Sequence, residues 1–108
     1  MLSQTVIQEA AERLIAAAHH PRKLILFGSY ARGDAREDSD LDLLLVEKAI
    51  PDPTGEYLLL REALGPLGVG VDLLVYAEDE FERRHDWCST TPVFWAVREG
   101  RVLYDAAA

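Results

Sequence analysis

The sequence predicts a small α/β or α+β domain, with a sheet of three or four short strands flanked by helices. Three observations predict it. Apolar runs of strand length stop at a glycine or an acid, stretches of helical periodicity lie between them, and the chain has 108 residues, enough for one domain spanning 1–108 with one core. Apolar residues make up 49% and charged residues 28%, the balance of a packed protein rather than a disordered one.

Val6, Ile7, Ala10, Ala11, Leu14, Ile15 and Ala18 recur with helical spacing, which predicts an amphipathic helix from residue 5 to about 19. Thr5 with Gln8 three residues on reads as a capping box, and Pro21 ends the helix by disfavouring helical geometry at His20. Lys23 to Phe27 is an apolar run that halts at Gly28, a buried strand. A turn or single helical turn follows, then a charged loop from Asp34 to Ser39 and a second strand from Leu41 to Glu47. Pro51 and Pro53 break the chain before a helix from Tyr57 to Leu64, which Gly65-Pro66 closes. Val69 to Tyr76 is a third strand and Glu78 to Arg84 a short helix with acids in its first turn. Thr91-Pro92 is a cap and first-turn pair for a helix reaching Gly100, and Arg101 to Tyr104 forms a last short strand. This alternation leaves the relative direction of the strands open.

Nineteen acidic and eleven basic side chains give a net charge of −8. Gripping a nucleic-acid backbone needs a positive surface, so direct nucleic-acid binding is not expected. An acidic domain is suited instead to a basic partner or to holding divalent metal through carboxylates. Cys88 is the single cysteine, so no intrachain disulfide can form. The first residues carry acids and lack a basic segment followed by an apolar run, and no stretch has membrane-spanning length. A cytoplasmic protein with no membrane contact is expected.

Chemistry concentrates in two places. The first strand exits through Gly28-Ser29 into a helical turn, where backbone N–H groups are free, Gly28 lets a ligand approach the main chain and Ser29 adds a hydroxyl. That is a cradle for phosphate, although Gly-Ser at a strand end is more often just a turn. Ten residues further on stand Asp40-Leu41-Asp42, at the mouth of an apolar strand. Residues two apart on a strand share a face, so the two carboxylates repel unless a cation such as Mg²⁺ joins them. Asp-x-Asp alone is equally well read as a solvated strand end. The joint spacing decides between these readings, because a chance match in so short a chain is roughly one in a thousand. Adjacent strands would bring turn and acids to one end of the sheet, the region where open α/β sheets bind ligands. Asp72 is a third acid, inside the apolar run from Val69 to Val75. It either reaches the same site from a neighbouring strand or faces water on an edge strand.

The stretch from Phe27 to Leu45, containing GSYARGDAREDSDLDLLL, resembles the signature of the minimal nucleotidyltransferases of the DNA polymerase beta superfamily. Glu99 to Tyr104 resembles the close of such domains. The resemblance implies the nucleotidyltransferase fold with a mixed sheet. It implies that Asp40, Asp42 and Asp72 hold two Mg²⁺ ions, with Asp72 also helping to deprotonate the attacking hydroxyl. Gly28 and Ser29 would take the phosphates of ATP, and attack on the α-phosphorus would release pyrophosphate. Arg32 is a candidate for neutralising phosphate charge, with a solvated surface role equally open, while Arg36 reads as solvated. The chain has no room for an acceptor-binding domain, so the acceptor is expected from outside. The family implies a HEPN-domain toxin as partner, with AMP placed on a tyrosine hydroxyl and this chain acting as antitoxin in a hetero-oligomer. Two alternatives stand beside this. One is transfer to a small molecule such as an antibiotic, in a cleft formed across a homodimer. The other is a non-catalytic antitoxin that masks its partner. His19, His20, His85 and Cys88 lack a complete zinc-like spacing and are set aside. Phe94, Trp95 and Val97 are assigned to the core or to an oligomer face, and Trp87 to a partner surface.

Overall fold

A computed structural model describes residues 1–84 and 91–107. Its elements are α1 (Gln4–Ala17), β1 (Pro21–Phe27), α2 (Ser29–Arg32), β2 (Leu41–Glu47) and α3 (Pro53–Leu64). They continue as β3 (Val71–Ala77), α4 (Glu78–Arg84), α5 (Pro92–Glu99) and β4 (Arg101–Asp105). The expected order of elements is the observed one. Expectations placed on His85, Trp87 and Cys88 lie outside the described residues.

Several boundaries move, each for a local reason. Ser3 rather than Thr5 caps α1, its Oγ accepting from the Val6 amide at 3.1 Å, so the helix starts and ends earlier than its periodicity suggests. Pro53 does not break the chain. It opens α3, its fixed φ already helical, with the Asp52 carboxylate accepting from the Gly55 amide at 3.1 Å. β1 begins at Pro21, because Pro21 pairs with Glu47 beside a register shift, and β3 begins at Val71 rather than Val69.

The four strands lie in the order β3-β2-β1-β4. β1 runs antiparallel to both β2 and β4, while β2 and β3, joined through α3, are parallel. The sheet is therefore mixed. β2 is central and apolar on both faces, which separates two cores. Leu41, Leu43 and Leu45 pack with Ile7 and Leu14 of α1 and Leu60 and Leu64 of α3. Leu44 and Val46 point the other way, onto Phe81 of α4 and Val93 and Ala96 of α5. The strict alternation of side chains along a strand makes each of these five residues serve one face only. Among the described residues no helix is long and apolar enough to cross a membrane.

The strand end away from the Gly28 turn buries a charged cluster. Glu47 is completely buried on the α1–α3 face, with Glu56 of α3 at 7% exposure beside it. Glu47 Oε1 accepts from the His20 amide at 3.2 Å, and its Oε2 finds no donor. Glu56 accepts from the His19 amide at 3.1 Å and from its ring Nδ1 at 2.5 Å. Burial, then a hydrogen bond to Glu56, pushes the Glu47 carboxyl up to about 7. Burial also acts to raise Glu56, but the hydrogen bonds from Glu47 and His19 outweigh it and hold Glu56 low. A proton on this Glu47 oxygen, present below about pH 7, would give it a bond to donate to the Glu56 carboxylate.

Candidate active site

The antiparallel pairing of β1 with β2 sets Phe27 opposite Asp42. The exit of β1 and the entrance of β2 therefore share one end of the sheet. The acids sit at the N-terminal ends of β2 and β3, not at the carboxyl ends favoured in parallel α/β sheets, because β1 runs the opposite way. α2 follows Gly28 at once, and its first turn closes through the Ala31 and Arg32 amides, both donating to the Gly28 carbonyl.

Gly28 is fixed at this place twice over. Its φ is +73° and ψ −155°, a region that is essentially glycine-only. A Cβ here would lie 2.1 Å from Asp42 Oδ2. The close approach that Gly28 permits thus includes the Asp42 carboxylate itself.

Asp42 and Asp72 are direct partners in the parallel β2–β3 register. β3 is an edge strand and Asp72 is exposed, as the solvent-facing reading expects, and it lies beside Asp42. Burial, followed by the hydrogen bond to Asp72 and the charges of Asp72 and Asp40, raises the Asp42 carboxyl to about 6. Asp40 lies one residue before β2 rather than on it, exposed, with its carboxylate against Gly70. The Leu41 amide donates to the Gly70 carbonyl at 2.9 Å, which joins this segment to the start of β3. Among the described residues, no three His, Cys, Asp or Glu side chains are gathered as a ready cation cage. The donor set nevertheless suits a hard cation. It consists of carboxylate oxygens, and a bound cation would hold Asp42 ionised against burial and against the neighbouring Asp72 and Asp40.

Beside Gly28 opens a cavity of about 520 Å³, within the roughly 300–1,000 Å³ of small-ligand sites. Phe27, Arg32, Pro92, Trp95 and Glu99 are among the residues that line it. Arg32 is held there by two carboxylates: Nη1 donates to Glu99 Oε1 at 2.9 Å and Nε to Asp34 Oδ2 at 3.4 Å. These bonds raise its pKa further, so it is a permanent cation. Of this wall the sequence pointed only to Gly28 and Arg32. Trp95, assigned to core or an oligomer face, is 44% exposed and lines the cavity. Glu99 is 67 residues from Arg32, a separation that no motif spans. The one sequence signal for it is an acid in the last turn of α5, where the helix dipole favours cations.

The profile of the nucleotidyltransferase domain family matches residues 7–103. The chain belongs to that family. A Methanocaldococcus jannaschii protein named "Putative protein adenylyltransferase MJ0604" is 40% identical over 85 residues, covering 77% of this chain and 78% of that protein. A solved toxin–antitoxin structure with AMP-PNP superposes with a TM-score of 0.66 at 22% identity, over 96% of this chain and 74% of that one. A complex of tri-AMPylated Shewanella oneidensis HEPN toxin with MNT antitoxin superposes with a TM-score of 0.63 at 18% identity, over 98% and 75%. At these identities the structural likeness is one of fold. It agrees with the mixed four-stranded sheet and flanking helices, and family membership makes the chain a nucleotidyltransferase.

Proposed function

We propose that this nucleotidyltransferase moves AMP from ATP onto a tyrosine hydroxyl of a HEPN-domain toxin and so acts as its antitoxin. The observation that carries the reading is Asp42, paired in register with Asp72 and seated against a glycine turn that opens onto a cavity of nucleotide size. The named activity of the M. jannaschii relative and the AMPylated toxin in the Shewanella complex supply the acceptor class.

The residues divide the work. Gly28 leaves the main chain bare for phosphate, Ser29 offers amide and hydroxyl donors, and Arg32 contributes positive charge at the cavity edge. Trp95 and Phe27 provide apolar faces on which a purine rests. Asp40, Asp42 and Asp72 would hold Mg²⁺, which when bound neutralises triphosphate charge in the transition state. The acceptor oxygen attacks the α-phosphorus, the bond from that phosphorus to the bridging oxygen breaks, and pyrophosphate departs. The hydroxyl proton passes to Asp72, the exposed carboxylate at the sheet edge, where partner and solvent both reach it.

The test uses ATP labelled at the α-phosphate, Mg²⁺ and the purified toxin. Wild type labels the toxin, and Asp42→Asn does so at least about a hundredfold more slowly, the scale of losing one group positioned for the transition state. Labelling by the variant at the wild-type rate would show that the acids do not form the active site. A variant that cannot label yet still neutralises the toxin would favour masking.

A further inference from the structure

Arg32 lines the cavity and is 46% exposed, and a long exposed arginine has many rotamers open to it. Here it is tied. Glu99 grips Nη1 at 2.9 Å, and Asp34 approaches Nε at 3.4 Å. The two carboxylates differ in what anchors them. Asp34 stands on the charged loop, two residues from Arg32, and is 63% exposed. Glu99 is 25% exposed and belongs to the last turn of α5.

That turn is pressed onto the sheet. A Cβ on the next residue, Gly100, would lie 2.1 Å from the Ala96 carbonyl oxygen and 2.4 Å from Ile25 Cγ2. Gly100 thus lets the chain turn tightly from α5 into β4, whose Val102 pairs with Ile25. Glu99 therefore rides on a base fixed to β1, the strand that delivers Gly28 to the site. Arg32 is held at a set distance from the glycine turn from outside its own loop.

We propose that Glu99 is a positioning residue. It holds the Arg32 guanidinium at the mouth of the cavity, ready for the phosphates of an incoming nucleoside triphosphate. The proposal rests on the nucleotide site proposed above. Preorganising a cation removes the cost of ordering it on binding, so the effect falls on affinity and KM, with kcat little changed.

MgATP affinity is measured by calorimetry on the full chain without partner, and KM and kcat by label transfer to the toxin. Arg32→Ala is expected to weaken MgATP about tenfold, the scale of one hydrogen bond to a charged group. Glu99→Ala is expected to weaken it about fivefold, with kcat within twofold. The double variant should bind as Arg32→Ala does, because the two residues act as one unit. Glu99→Gln keeps an oxygen to accept from Nη1 and should stay within twofold of wild type. Glu99→Asp, one methylene shorter, should behave like Glu99→Ala and serves if the alanine variant does not fold. Effects that multiply in the double variant, or unchanged affinity in Glu99→Ala and Glu99→Asp, overturn the proposal. So does a loss in Glu99→Gln as large as in Glu99→Ala. Absence of MgATP binding by the wild type would instead count against the nucleotide site itself.

Discussion

Replacing Glu47 by glutamine should stabilise this protein at neutral and alkaline pH, although Glu47 is buried and hydrogen-bonded. The carboxyl is completely buried, and its pKa rises from 4.5 in the free side chain to about 7. A carboxyl raised on folding binds its proton more tightly in the native state. Its contribution is fully present below the unfolded pKa and is lost as pH climbs towards the folded one. The stability withdrawn between pH 4.5 and pH 7 is about 3 kcal/mol, at about 1.4 kcal/mol per pH unit. Glutamine preserves the geometry of the protonated acid: its oxygen accepts from the His20 amide and its NH₂ donates to Glu56. Urea unfolding at pH 5, 6, 7 and 8 measures the effect. The gap between Glu47→Gln and wild type should be small at pH 5, widen to about 2–3 kcal/mol by pH 7 and then level off. The melting temperature at pH 8 should rise by on the order of 10 °C. Asp42, also raised, titrates in both proteins and cancels from the difference. Parallel stability curves from pH 5 to 8, or a variant less stable at pH 8, would refute the idea of a proton held between Glu47 and Glu56.

Other substitutions probe particular local claims. Gly28→Ala should cost about 1–3 kcal/mol from its backbone conformation alone and should also stop label transfer, since its Cβ displaces the Asp42 carboxylate. Thermal melts and the transfer assay read the two effects separately, and full activity would show that Gly28 is not held against Asp42. Ser3→Ala should lower stability by about 1 kcal/mol while Thr5→Ala stays within about 0.5 kcal/mol, as urea curves will show. The reverse order would restore Thr5 as the cap.

The element order was legible in the sequence because each element carries its own local signal. Leu41 to Glu47 and Glu78 to Arg84 were bounded by charge and apolar patterning alone, and both are observed at those limits. Proline was harder to read. Pro53 has the same fixed φ whether it ends one segment or starts another, and the Asp52 cap decides which. Gly28 and Asp42 were legible as a pair because strand exit and strand entrance carry the chemistry within one short stretch. Their contact, and the seating of the Asp40 carboxylate against Gly70, were not legible.

The sequence by itself determined the local pieces: which stretches extend, which coil, and which residues could bind phosphate or a divalent cation. It did so because backbone preference, side-chain periodicity and donor chemistry belong to the residues themselves. Only the tertiary structure decided what lies between distant segments. It set the antiparallel β1–β2 register that turns the acids to the N-terminal strand ends, and it placed Asp72 beside Asp42. It also laid Glu99 across 67 residues onto Arg32, and buried Glu47 against Glu56. Those pairings depend on strand direction and on which helix covers which face, and they are fixed by packing on the two faces of the sheet.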